Sequence, residues 1–170
     1  IKTPGMHTVK IFREMSKGNI DFMWTANNNG ASSMPNLTRF LGRKDEYKGI
    51  FDTFICVSEV YPTISCKYSD VVLPSAMWVE REGMFGNGER RTAVFEKAVD
   101  PVGEAKWDLW QLMEIAWRVL DGKKIGDQDA FELLFGQWYD KQKRDFKGNP
   151  RETCRAIFEE YRNFSNPSLN

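Results

Sequence analysis

Three short, largely apolar segments separated by helical stretches constrain the fold of this chain most strongly. They are Ile20–Ala26, Thr53–Val57 and Asp70–Leu73, and the last of them stops at Pro74. The first is nearly continuous in apolar and β-favouring residues, which is expected of a strand buried on both faces. Strands that alternate with helical segments favour a parallel sheet. The sequence therefore predicts an α/β fold with a mostly parallel sheet.

Helical periodicity extends this prediction on both sides of the strands. Thr8–Lys17 is amphipathic, and the clearest helix begins at Asp108, which stands where a cap or first-turn acid is favoured. Two more helices are predicted at about 129–146 and 150–164, and Thr92–Phe95 is predicted to be a further strand or hairpin arm. We expect residues 1–122 to form this α/β domain and residues 123–170 to form a helical extension of it.

Composition excludes several classes of function. Lys and Arg number 24 and Asp and Glu number 24, so no charge excess favours nucleic acid or an anionic membrane. No apolar run approaches the roughly 20 residues of a membrane-spanning helix. The chain opens on Ile1 rather than Met, which suggests a piece of a longer protein.

The cysteines and the single histidine give no sign of a catalytic or metal site. Cys56, Cys66 and Cys154 form no CxxC pair and are odd in number, so isolated thiols are expected rather than disulfides or metal ligands. His7 precedes the first helix without a neighbouring acid and nucleophile, and no catalytic role is assigned to it. We predict no catalytic and no metal-binding residue within this chain.

Polar residues follow the first two predicted strands, where parallel sheets bind ligands. Asn27–Gly30 is either a plain turn, since Asn tolerates left-handed geometry, or a ligand contact. Ser58–Glu59 either caps the helix expected near Pro62 or contacts a ligand. Glu80–Glu82 is either a solvated face or part of a site, and Arg90–Arg91 either binds phosphate or is merely exposed.

The order of four motifs resembles a known family. Trp24–Asn29 (WTANNN), Val57–Thr63 (VSEVYPT), Asp70–Arg91 (DVVLPSAMWVEREGMFGNGERR) and Pro101–Leu112 (PVGEAKWDLWQL) follow one another as in molybdenum oxidoreductases that carry bis-molybdopterin guanine dinucleotide. Among these enzymes the resemblance is to the catalytic subunits of periplasmic nitrate reductases. It covers roughly residues 5–120 and is less distinctive afterwards.

The resemblance implies that residues 1–122 form a Rossmann-like, three-layer αβα domain and that this piece holds one guanine dinucleotide limb of the cofactor. On the family pattern, Asn28 would contact the cofactor, and Ser58 and Glu59 would approach its guanosine end. Glu59 stands where relatives usually carry Asp, and Arg81 stands where they often carry Lys, so reach and donor geometry differ at both positions. Asp108 would complete the set at the start of its helix.

The resemblance also implies the activity and surroundings of the parent enzyme. It would reduce nitrate to nitrite at molybdenum in the periplasm, with a 4Fe–4S cluster whose ligands lie outside this chain, a c-type cytochrome as electron-transfer partner and a maturation chaperone. The isolated piece is expected to be inactive. The alternatives are another enzyme of the superfamily, an assimilatory nitrate reductase or a formate dehydrogenase, and a stand-alone nucleotide-binding or interaction module.

Overall fold

The chain is an α/β protein that divides into two compact units, residues 1–75 and 76–170. A computed structural model describes residues 5–37, 49–89 and 91–163. None of the helices in these ranges is long and apolar enough to cross a membrane. The α/β class, the parallel sheet and the C-terminal helices agree with the sequence prediction.

The first unit is built on three parallel strands. Its elements are α1 (Thr8–Ser16), β1 (Phe22–Ala26), α2 (Gly30–Ser33), a 3-10 turn (Ile50–Asp52), β2 (Phe54–Glu59), a 3-10 helix (Ile64–Tyr68) and β3 (Val71–Pro74). The sheet order is β1-β2-β3, and both pairings are parallel. Each strand begins and ends within two residues of its predicted bounds.

The core of this unit lies on one face of the central strand. Ile55 and Val57 alternate along β2, so both point to the face that α1 covers with Phe12 and Met15. The expectation that the first strand is buried on both faces is wrong, because β1 is half-buried in its middle and exposed at its two ends. In the described residues β1 pairs with β2 alone, which leaves its other edge open.

The second unit combines hairpins with helices. Its elements are a 3-10 turn (Trp78–Glu80), β4 (Gly83–Gly86), β5 (Thr92–Phe95), α3 (Asp108–Leu120), β6 (Lys124–Ile125), β7 (Gln128–Asp129), α4 (Ala130–Phe135), β8 (Tyr139–Asp140), β9 (Asp145–Phe146) and α5 (Pro150–Arg162). β4 and β5 form an antiparallel pair, which confirms the hairpin-arm prediction for the segment after Arg91.

The single helix predicted over 129–146 is wrong. α4 ends at Phe135, and the chain then turns into the β8–β9 hairpin, in which Tyr139 lies opposite Phe146. Both rings pack with Phe131 against Met113 of α3. The aromatic residues recur at a spacing that mimics a helix, but a hairpin is the arrangement that brings Tyr139 and Phe146 together in the core.

Candidate cofactor-binding site

The carboxyl edge of the parallel sheet collects the polar residues that follow the strands. Beyond the paired strands, the Asn27 N–H donates to the Ser58 carbonyl at 2.8 Å and the Ser75 N–H donates to the Glu59 carbonyl at 3.1 Å. These bonds continue the ladder and fix the three chain exits side by side. Ligands of open α/β sheets bind beyond this edge.

Two of the three consecutive asparagines build the turn after β1. Asn27 has a φ of 48°, in the left-handed region that Asn tolerates better than most residues. The Asn29 side-chain oxygen accepts bonds from the Ser65 N–H at 3.1 Å and from its hydroxyl at 2.9 Å. The Ser65 hydroxyl oxygen in turn accepts from the Ala31 N–H at 3.1 Å. The turn interpretation therefore holds for Asn27 and Asn29.

Asn28 has a different environment from its two neighbours. It is exposed, and it lines a cavity of about 250 Å³ whose walls come mainly from α1, β1 and β2. Gly30 borders the same space, where an added Cβ would lie 3.3 Å from the Asn28 side-chain oxygen and 3.5 Å from the Phe12 ring. Within the described residues the Asn28 amide makes no hydrogen bond to protein. The amide of Asn28, two residues after the end of β1, is therefore available to a ligand.

Ser58 and Glu59 occupy the end of β2 but do not cap the following helix. Ser58 is fully buried, and its hydroxyl oxygen accepts a bond from the Trp24 indole N–H at 2.7 Å. Glu59 Oε1 accepts from the Val60 N–H at 3.0 Å. The 3-10 helix that follows has Thr63 at its N-cap, without a side-chain cap bond. Ser58 therefore joins β1 to β2, and Glu59 is the carboxylate at the strand end.

Arg81 and Asp108 form an ion pair in the second unit. Arg81 Nη2 lies 3.2 Å from Asp108 Oδ2, and the Arg81 side chain is 20% exposed. Its Nε–H donates to the Ala76 carbonyl at 3.3 Å, and its guanidinium lies 5.4 Å from the centre of the Phe95 ring. The solvated-face interpretation is therefore wrong for Arg81. Asp108 stands in the first turn of α3, where the helix dipole favours an acid.

Gly83 makes the packing of Arg81 possible. A Cβ at this position would overlap the Phe95 ring and would come within 2.8 Å of Arg81 Nη1. In contrast, Arg91 is 74% exposed and lies 3.6 Å from the Glu89 carboxylate. Arg90 lies outside the described residues. Arg81 is therefore packed and paired within the protein, whereas the Arg91 side chain lies mostly in solvent.

A buried carboxylate that the sequence analysis did not single out organises the second unit. The Glu114 side chain is 7% exposed. It accepts bonds from Arg144 Nε at 2.8 Å and Nη2 at 2.5 Å, from the Tyr139 hydroxyl at 2.6 Å, from Arg118 at 3.0 Å and from Trp117 at 3.2 Å. The sequence offered one sign of this: Glu114 directly follows Met113, a residue of the apolar face of α3, so a buried charge could have been suspected there.

Opposing effects set the pKa of Glu114. Burial raises it, but the hydrogen bonds from Arg144, Tyr139, Arg118 and Trp117 outweigh burial and hold it at about 2. Burial and the neighbouring carboxylate raise the pKa of Tyr139 above its ordinary value. Glu114 is therefore an anion, and the Tyr139 hydroxyl is a proton donor, at all ordinary pH values.

His7 caps a helix, and the three cysteines are not joined by disulfides. His7 Nδ1 accepts from the Lys10 N–H at 3.3 Å and caps α1. The three cysteines are free thiols, and burial raises the pKa of Cys56 and Cys154. In the part of the chain that the structure describes, no cluster of His, Cys, Asp and Glu could hold a metal ion.

In the first unit, amide and carboxylate groups stand at the carboxyl edge of a parallel sheet, where α/β proteins bind ligands. In the second unit, a guanidinium pairs with a carboxylate at a helix start. Groups of these kinds can bond nucleosides and phosphates. A protein-family model described as molybdopterin oxidoreductase matches residues 1–118. The chain therefore belongs to the molybdopterin oxidoreductase family, whose members use a molybdenum–pterin cofactor.

Proposed function

We propose that this chain holds one guanine dinucleotide limb of a bis-molybdopterin guanine dinucleotide cofactor in an enzyme that reduces nitrate to nitrite. The observation that carries the proposal is the carboxyl edge of the parallel sheet. There Asn28 lies beside a cavity with an amide that bonds no other group in the described residues, and Glu59 presents a carboxylate at the neighbouring strand end. Both groups can recognise the polar edge of a nucleoside.

The size and chemistry of this edge fit part of the cofactor. The cavity of about 250 Å³ is smaller than the roughly 300–1,000 Å³ of pockets that enclose drug-sized ligands. It suits a single ring system, while the rest of the limb would lie along the open edge. Gly30 keeps the backbone close to this space without a Cβ in the way.

Each predicted residue has a distinct task in this proposal. Asn28 donates and accepts hydrogen bonds at the base or ribose, and Glu59 accepts from nucleoside donors. Ser58 supports the site indirectly, because its hydroxyl bonds Trp24 and so holds the ends of β1 and β2 together.

In the second unit, Arg81 is held in place by Asp108 and Phe95 and supplies a positive charge for a phosphate group. When bound, the molybdenum and pterin supply the two-electron redox chemistry.

The nitrate specificity rests on the motif resemblance within the family. On the same resemblance we propose that the parent enzyme lies in the periplasm and contains a 4Fe–4S cluster held by residues outside this chain. Its partners would be a c-type cytochrome, as electron donor, and a maturation chaperone. The chain itself contributes binding and orientation of the cofactor. It is not expected to turn over substrate alone.

The test uses the complete enzyme that contains this chain. Asn28→Ala and Glu59→Ala should lower the molybdenum and guanine content per protein while leaving nitrate turnover per bound molybdenum roughly unchanged. Asn19→Ala is the matched control, because this exposed amide bonds Glu14 and, within the described residues, no other side chain. Full loading of both edge variants would remove these residues from the site. Formate or sulfoxide turnover without nitrate turnover would contradict the substrate.

A further inference from the structure

A second cavity lies in the unit formed by residues 76–170 and has no role in the function proposed above. Its volume is about 310 Å³. Aromatic side chains form its walls and charged ones its rim, the main ones being Trp107, Trp110, Phe146, Lys106, Arg144 and Asp145. We call it the Trp110 groove. It joins residues inside the family match to residues after position 118, where that match ends.

The aromatic walls are firmly supported. The Trp107 and Phe146 rings lie 4.9 Å apart, centre to centre, with a tilt of 39°. Phe146 is buried and packs in the same core as Met113. Rigid aromatic faces of this kind bind flat apolar groups at little cost in side-chain entropy.

Two cations share one indole at the rim. The Lys106 ammonium lies 5.5 Å from the centre of the Trp110 ring, and the Arg144 guanidinium lies 5.9 Å from it. The Trp110 indole N–H donates to the Arg144 carbonyl at 3.0 Å. That bond fixes the hairpin turn against α3, and the indole fixes the place of both charges.

The buried Glu114 carboxylate holds the Arg144 guanidinium in position. Its Nε and Nη2 donate to the buried Glu114 carboxylate, which also pairs with Arg118. The Arg144 side chain is nevertheless 55% exposed, so its other N–H groups remain accessible. Its backbone has a φ of 55°, which is uncommon for a residue other than glycine and is often found at functional positions.

The charges of the rim select the class of ligand. Over the described ranges Lys106 has no acidic partner, and the Asp145 carboxylate accepts from the Phe146 N–H at 2.8 Å. Because Arg144 is already paired with Glu114, Lys106 is the positive group that favours an anion here, and Asp145 disfavours a dianion. We propose that the Trp110 groove binds a small aromatic monocarboxylate, with the carboxylate at Lys106 and Arg144 and the ring against the aromatic walls.

The size of the groove agrees with this class. Its volume of about 310 Å³ lies at the lower end of the roughly 300–1,000 Å³ range of small-molecule pockets. This volume accommodates one aromatic ring with its acid group. The groove belongs to the second unit, so the proposal does not rest on the cofactor-binding edge in the first unit.

The test titrates the complete protein that contains this chain with 4-fluorobenzoate and follows the ¹⁹F signal of the ligand. Lys106→Met should weaken binding at least about tenfold, because it removes a charge-assisted contact. Lys123→Met, which removes an exposed lysine just after α3, should bind like the parent. Unchanged affinity of Lys106→Met, or no binding by the parent at millimolar concentration, would overturn the proposal.

Two further measurements test whether the groove recognises both the carboxylate and the ring of the ligand. Arg144→Lys retains the charge beside Glu114 but loses the exposed N–H groups of the guanidinium, so it should fold and should also weaken 4-fluorobenzoate binding. Inorganic phosphate should compete poorly, because it has no ring and carries more negative charge. Equal competition by phosphate, or parental affinity in Arg144→Lys, would show that the groove does not recognise an aromatic carboxylate.

Discussion

Replacement of Glu114 by Gln should destabilise the second unit strongly at neutral pH. The folded carboxylate has a pKa of about 2 against an ordinary value of 4.5. At about 1.4 kcal/mol per tenfold change in the equilibrium, this difference corresponds to roughly 3 kcal/mol of stability. Removal of one partner of a buried ion pair is expected to be worth about 3–5 kcal/mol. The two estimates agree in order of magnitude.

The sign of the pH dependence follows from the lowered pKa. The carboxylate stabilises the folded state fully above the unfolded pKa of 4.5, and this contribution disappears as the pH falls through the folded value of about 2. Near pH 3 the same linkage leaves roughly 1.4 kcal/mol. The gap in stability between the parent and Glu114→Gln should therefore shrink by about half between pH 7 and pH 3.

Urea unfolding followed by tryptophan emission measures this gap. Trp107, Trp110 and Trp117 all lie on or beside α3, so the signal reports mainly on the unit that contains Glu114. Glu132→Gln is the matched control, because that carboxylate is exposed and pairs only loosely with Lys141 at 3.5 Å. Equal stability of the parent and Glu114→Gln at pH 7, or a gap that does not change with pH, would refute the reasoning.

Two smaller perturbations test the support of the candidate site. Gly83→Ala places a Cβ against the Phe95 ring, so it should lower the free energy of unfolding by about 1–3 kcal/mol, whereas Gly88→Ala, which has open space around it, should be far milder in the same urea titration. Asn29→Ala removes the acceptor of both the Ser65 N–H and hydroxyl bonds. The Ser65 amide should then exchange hydrogen at least about tenfold faster, since an unmade buried bond is worth about 1–3 kcal/mol; an unchanged exchange rate would contradict the assigned contact.

The strands were predictable because each carries its own local signal. Apolar runs marked β1, β2 and β3, and Pro74 marked the end of the last one. Parallel pairing followed from the helical segments between them. What failed was the burial of β1, since burial depends on which neighbours a strand finds. A single strand sequence does not contain that information.

The sequence predicted where the candidate residues lie in the fold, but not which contacts they make. The polar residues after β1 and β2 were placed at the right edge, but the separate environments of Asn28 and Asn29 depend on Ser65, which lies 36 residues beyond Asn29. Ser58 likewise bonds Trp24 across 34 residues. Such contacts arise from packing rather than from local periodicity, so a turn and a ligand contact have the same sequence signature.

The hydrogen bonds of the buried Glu114 cross the end of the family match. The compact unit that contains Glu114 therefore extends beyond the matched residues. The match ends at residue 118, inside α3, which continues to Leu120. Glu114 belongs to the matched part, yet its Arg144 and Tyr139 partners come from the β8–β9 hairpin. Glu96, at the end of β5, similarly accepts from Arg151 and Arg155 of α5. The segment after the match is therefore bonded to α3, which contains Asp108, and to the residue that follows Phe95, the ring beside Arg81. Its loss would leave the buried Glu114 carboxylate without two of its donors.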